Sequence, residues 1–215
     1  MPEADGIVKR VAARSRFLSS FGTLGSTRTV AAVGAVMALA GLILLFLGRT
    51  PICRCGEVAL WHGQVNSSGN SQHVSDWYTF SHVIHGFLFY GLLWLVGRWR
   101  TGGIPLGLRL VAAVILEASW EVLENTDMVI NRYREATIAL DYYGDSVLNS
   151  LSDIGAMVLG FVLAARLPIW VIVVAAVVME VVAGYLIRDN LTLNVLMLLY
   201  PLDAVRQWQL AAPPG

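Results

Sequence analysis

Six apolar stretches divide this chain, and they leave it few folds to adopt. They run Thr29–Leu47, Ser81–Val96, Leu110–Thr126, Ser146–Ala164, Pro168–Ile187 and Leu191–Val205. A helix needs about 20 mostly apolar residues to cross the hydrocarbon core of a bilayer. The first and fifth stretches meet that length; the other four are shorter or carry polar residues. With 56% hydrophobic and 14% charged residues in 215, the chain reads as all-α: a polytopic membrane bundle of about six transmembrane helices. Its formal net charge is zero, so no overall basic field calls for nucleic acid. It has neither a P-loop nor a dinucleotide-binding glycine fingerprint.

Loop charge sets orientation, because Lys and Arg favour the cytoplasmic side. With the N-terminus inside, the inner segments hold Lys9, Arg10, Arg14, Arg16, Arg28, Arg98, Arg100, Arg109, Arg166 and Arg206, which is 10 of the 15 basic residues. Six spans then return the C-terminus to the inside. The charged lead before the first span is about 28 residues, too long for the n-region of a signal peptide, and no A-x-A-like site follows Leu47. The expected organisation is a basic cytoplasmic tail over residues 1–28, a six-helix domain over 29–207 and a short tail over 208–215. Outer loops fall near 48–80 and 127–145.

Glu117, Glu121 and Glu124 lie within the third stretch at offsets 0, 4 and 7, on one helical face. A charged side chain at mid-membrane costs roughly 2.5–3.5 kcal/mol on insertion scales, so such residues mark function by default. Other polar residues gather at the same outer level. His82 and His85 open the second stretch at i and i+3. Asp145, Asn149 and Asp153 descend the fourth at i, i+4 and i+8. Glu180 lies in the outer half of the fifth, and Asn190 and Asn194 open the sixth. Gly155 and Gly160, with Ala156, suit close helix approach. These placements predict a polar pocket facing the periplasm.

Carboxylates with imidazoles are what Zn²⁺, iron or manganese sites use. The same residues serve a proton relay or a structural hydrogen-bond network. The candidate metal ligands are His82, His85, Glu121, Glu124 and Asp153; Glu121, Glu124, Asp145, Asn149 and Asp153 are the candidate catalytic groups. Arg132, Arg134 and Arg188 beside an acidic pocket can clamp a phosphate or carboxylate, or simply pair locally. Cys53-x-Cys55 with His62 and His73 is a second candidate metal set; a C-x-C pair is too cramped for an unstrained disulfide. A Ser-His-acid set around Ser81, Ser146, Ser150 or Ser152 is the weakest candidate, because sequence neighbours do not show geometry.

The segments CGEVALWHG, HVSDWYTFSHVIHGFLFYGLLW, SWEVLENTDMVINRYREATIALDYYGDSVLNSLSD and GYLIRDNLTLNVLMLLYPLDAVRQWQ resemble an uncharacterised family of alphaproteobacterial inner-membrane proteins. The resemblance spans Cys53 to Trp208. It implies a multi-pass inner-membrane location and supplies no activity. A looser, partial similarity is to VanZ-like membrane proteins, associated with glycopeptide resistance. It is carried by His82 or His85, by Glu121 with Glu124, and by Asp145-x-x-x-Asn149 above Gly155. That similarity implies an envelope or lipid-linked role.

The reading is an inner-membrane bundle with an acidic and histidine pocket that binds a divalent metal such as Zn²⁺. Its expected partners are membrane lipids and a lipid-linked substrate. A small proton-coupled transporter, with a path past Glu117 and Glu180, and a non-catalytic scaffold are the alternatives.

Overall fold

The computed structural model describes residues 22–99, 103–137 and 142–211. Most of the expected basic tail, Arg100, Asp141 and the last four residues lie outside the described residues. Among the described residues the chain is all-helical, with no strand. The eight helices among those residues are α1 (Thr27–Phe46), α2 (Thr79–Arg98), α3 (Leu106–Glu124), α4 (Asp127–Ala136), α5 (Val147–Arg166), α6 (Ile169–Leu186), α7 (Leu191–Leu199) and α8 (Asp203–Leu210).

Local sequence explains the helix starts. Ser26, Ser146 and Asn190 each turn a side-chain oxygen to a free first-turn N–H, accepting from Thr29, Asn149 and Leu193 respectively. Pro105 and Pro168 precede α3 and α6, where a missing N–H costs nothing. Four helices, α1, α2, α5 and α6, are long and apolar enough to cross a membrane. α3 is as long, but it carries Arg109 and the three glutamates, and α1, α2 and α5 pack around it. The core between them is Ala40, Leu110, Ala113, Val114, Ala118, Ile154, Met157 and Phe161. α6 is different: Ala183 is its one buried residue, and its valines point outward. A face of that kind suits lipid as its solvent.

α2 and α5 form the closest pair, and glycine is the reason. A Cβ at Gly86 would meet the Met157 carbonyl oxygen, with Phe161 N at 2.5 Å; a Cβ at Gly160 would meet the Val83 carbonyl. The two backbones touch there, which fixes the depth of His82 and His85 against Asp153. Gly155, expected to share this role, faces outward with nothing near it. Gly86 takes its place.

The sixth expected span needs correction. Leu191–Val205 is not one helix: α7 has nine residues, roughly 14 Å at 1.5 Å per residue, about half a hydrocarbon core. Pro201 stops it, since the residue before a proline is pushed out of the helical region. α8 then folds back. The Arg188 guanidinium donates to the carbonyls of Trp208 and Ala211, both at 2.7 Å, and Gln209 donates to the Arg188 carbonyl at 2.9 Å. Residue 211 therefore sits at the same end of the bundle as the end of α6. Glu180 caps α7 as well, accepting N–H bonds from Leu191 and Thr192.

Asp189 pins this turn. Its carboxylate accepts from the Tyr78 hydroxyl at 3.0 Å, the Asn190 N–H at 3.0 Å and Gln209 at 3.3 Å. Burial pushes its carboxyl up to about 6, against the lowering effect of the Tyr78 and Asn190 hydrogen bonds. An acid whose folded value is raised contributes stability below its unfolded value, and that stability is lost as pH rises through the folded value. Asp189→Asn keeps the shape without the charge. Its melting temperature is expected to improve relative to wild type by several degrees between pH of about 4 and 7. Parallel curves would remove Asp189 as the source of the dependence.

Candidate functional site

His82 is the hub of the expected constellation. The turn before it is set by Asp76, whose carboxylate accepts the Ser71 N–H at 3.0 Å and the Tyr78 N–H at 2.8 Å, an Asx-type turn that starts α2. Burial raises the Asp76 carboxyl, while those N–H bonds act to lower it. Thr79 follows, and its hydroxyl donates to Asp153 Oδ1 at 3.1 Å.

From α3, Glu117 reaches both histidines. Its Oε1 lies 2.6 Å from His82 Nδ1, and its two oxygens lie 3.1 Å from His85 Nδ1. A ring nitrogen facing a carboxylate is assigned as the donor, so each Nδ1 donates to Glu117. On its other side, His82 Nε2 faces Asp153 Oδ2 at 3.8 Å, too far for a hydrogen bond. Glu121 Oε1 lies 3.4 Å from His82 Nδ1, is buried, and has no hydrogen-bond partner among the described residues. Ligand atoms of His82, Glu121 and Asp153 all lie within 4.8 Å of one another; so do those of His82, His85 and Glu117, and of Glu121, Glu124 and Asp145.

The remaining expected residues stand around this hub. Asn125 donates to Asp145 Oδ2 at 2.7 Å and accepts the Asp145 N–H at 2.7 Å, and the Tyr142 hydroxyl donates to Asp145 Oδ1 at 2.9 Å. Burial pushes the Asp145 carboxyl up to about 6, opposed by these hydrogen bonds. Asn149 donates to the His73 carbonyl at 2.9 Å and so ties the outer loop onto α5. A cavity of about 250 Å³ opens beside the hub; His82, His85, Glu117, Glu124, Asp145 and Asp153 form its acidic and imidazole wall.

Some expected residues are not brought to the site. Arg132 donates to the Leu198 carbonyl, Arg134 to the Tyr142 carbonyl, and Arg188 to the α8 end described above. None of the three lines the cavity. Glu180 is engaged in capping α7. Cys53 and Cys55 are joined as a disulfide, against the expectation from their spacing. His73 lies close to them, and burial together with neighbouring His62 holds its imidazole below the usual range. The hydroxyl of Ser146 is spent on the Gln72 carbonyl and Asn149, and both site histidines turn Nδ1 to Glu117, so no Ser–His pair is assembled at the hub among the described residues.

Sequence reasoning did not give Glu117 its part as the shared partner of both histidines, nor find Thr79, Asn125 or Tyr142. The Asp76-x-x-Thr79 step ahead of Ser81-His82 was the available signal, a side-chain-capped turn presenting the start of a polar helix face.

Three relatives place the chain. It is 60% identical over 176 residues to a UPF0314 protein of Paracoccus denitrificans, covering 82% of this chain and 89% of that one. It is 61% identical to a UPF0314 protein of Sinorhizobium fredii, covering 81% and 86%. With a UPF0314 protein of Agrobacterium fabrum it shares 50% identity over 208 residues, 96% of this chain and 98% of the other. No solved structure matches it. Residues 44–211, which include the whole hub, match the family described as "Protein of unknown function (DUF2585)", and the chain belongs to that family.

Proposed function

We propose that this is an inner-membrane protein that holds a divalent metal ion between His82, Glu121 and Asp153, at the wall of its outward-facing cavity and with Glu121 buried behind that wall, for chemistry on an envelope lipid or lipid-linked substrate. The observation that carries the reading is the buried Glu121 carboxylate, whose Oε1 has His82 Nδ1 at 3.4 Å but no hydrogen-bond partner among the described residues, with ligand atoms of His82, Glu121 and Asp153 all within 4.8 Å of one another. A buried carboxylate oxygen without a donor costs several kcal/mol unless a cation or proton meets it. Oxygen and imidazole ligands bind Zn²⁺ at about 2.0–2.2 Å, so donors a few ångströms apart suit one shared ion. Glu117 fits the carboxylate that orients metal-binding histidines through their second nitrogen. Glu124 and Asp145 supply further acid–base groups on the cavity wall. The VanZ-like arrangement of a histidine, an acid pair and a D-x-x-x-N step is consistent with an envelope role.

In the bilayer we place five crossings, α1, α2, α3, α5 and α6, with the Arg98, Arg109 and Arg166 end cytoplasmic by the positive-inside rule. α4, the α7–α8 hairpin and the hub then face the periplasm. This puts residue 211 outside, in place of the expectation that both termini lie in the cytoplasm. The transporter alternative loses Glu180, which is occupied in capping.

Metal analysis tests the reading. Protein purified without chelator is expected to carry one divalent ion per chain, removed by chelation and restored by Zn²⁺. Folded wild-type protein that neither carries nor takes up an ion would sink the metal centre and leave the scaffold reading.

A further inference from the structure

We infer that the cavity takes the uncharged, hydroxyl-bearing end of an amphiphile, admitted sideways from the lipid through the gap between α2, α3 and α7. The inference rests on the reading of the site given above and narrows its substrate.

Two observations point to lipid as the source. The apolar part of the lining is Phe89 of α2, Trp120 of α3, and Leu191 and Val195 of α7. α7 is only nine residues long and packs chiefly on α4, so it leaves α2 and α3 uncovered at this level. Val195, at the edge of that opening, is 45% exposed. The volume, about 250 Å³, falls below the roughly 300–1,000 Å³ of pockets that enclose drug-sized ligands. A headgroup fits it; an acyl chain has to remain outside, along the apolar wall.

Charge selects the headgroup. Among the described residues that wall the cavity none is Arg or Lys, while Glu117, Glu124, Asp145 and Asp153 are carboxylates. The three arginines suited to a phosphate are spent on backbone carbonyls. One divalent ion leaves this wall without surplus positive charge, so a phosphate meets like charge at close range, where specificity against it is strong. The uncharged polar groups on the wall include the amides of Asn70 and Asn194 and the hydroxyls of Ser81 and Tyr133; Tyr133 donates to Asn194 Oδ1 at 3.0 Å, which leaves the Asn194 N–H₂ and the Tyr133 oxygen lone pairs for a ligand. They match hydroxyl groups, which donate and accept as they do.

Trp120 is a built-in reporter. Wild type and Trp120→Phe, each in nanodiscs of neutral lipid, are titrated with dibromostearoyl glycerol, its 3-phosphate and dibromostearyl amine. The difference between the two proteins isolates Trp120 quenching from the other six tryptophans. The glycerol probe is expected to quench Trp120 at a mole fraction at least tenfold lower than either charged probe. Val195→Trp, which narrows the gap and is read against its own Val195→Trp/Trp120→Phe partner so that the added indole cancels, is expected to raise that fraction at least tenfold with metal content unchanged. Equal or better quenching by the phosphate or the amine overturns the headgroup class. Unquenched Trp120, or an unaffected Val195→Trp, overturns the sideways route. Metal is assayed on the same samples: protein that holds metal without this selectivity refutes only the present inference, and protein without metal refutes the metal centre.

Discussion

Glu121→Ala is expected to lower Zn²⁺ affinity by at least 100-fold, about 2.8 kcal/mol, with helix content and elution volume unchanged. The side chain supplies a fully buried hub oxygen without a hydrogen-bond donor among the described residues. Glu117→Gln should act more mildly, about 10–100-fold, because Glu117 works through the histidines it orients. The apo protein gives the opposite sign. A buried carboxylate clustered with Asp153 and with Glu124 and Asp145 is a burden when no ion is present. Glu121→Gln keeps the volume and removes the charge, so its metal-free form should melt several degrees above metal-free wild type. Stability gained as function is lost is the mark of a strained site. If apo Glu121→Gln instead melts lower, the carboxylate is a structural partner and the scaffold reading gains.

The second large effect lies at the α2–α5 crossing. Gly86→Ala and Gly160→Ala each place a methyl against a backbone carbonyl of the facing helix, not against a side chain that can turn aside. Overpacking typically costs 1–3 kcal/mol and occasionally more, and here about 3 kcal/mol or more is expected because two backbones must separate. Thermal unfolding in detergent reads it. Gly155→Ala, with open space around it, is expected to leave stability unchanged or raise it by up to about 1 kcal/mol through helix propensity. The same displacement shifts His82 away from Asp153, so metal affinity in the surviving Gly160→Ala protein should fall as well. Equal melting temperatures for all three variants would contradict the packing described for this pair.

The helices were legible because apolar stretches between charged loops have one outcome in a bilayer. Their residues carry the signal themselves: Ser146 and Pro168 open two of the expected stretches, and the glutamates mark one face of α3, whereas Ser26 and Pro105 precede α1 and α3 a few residues before the stretches read from Thr29 and Leu110. The shared level of His82, His85, Glu121 and Asp153 was legible for the same reason, since 3.6-residue periodicity fixes depth as well as face. The α7–α8 hairpin was not. Leu191–Leu199 is as apolar as a true span, and what breaks it is a single Pro201 together with a long-range bond from Arg188 to the Trp208 and Ala211 carbonyls. Nothing local announces that contact. The arginines misled for a related reason: charge beside an acidic pocket suggests a clamp, but the free carbonyls at helix ends compete for the same guanidinium groups. Naming Gly155 beside Gly160, without a partner glycine on the facing helix, shows the limit of reading one helix at a time, because a close crossing needs a small residue on both sides and Gly86 supplies it.

X-ray absorption at the zinc edge of the metal-loaded protein tests the central claim most directly. The expected first shell is nitrogen and oxygen alone, with the outer-shell scattering of imidazole and no sulfur, as His82, Glu121 and Asp153 require. A sulfur neighbour would move the ion to Cys53 and Cys55, and a shell without imidazole would detach it from His82; either result contradicts the account.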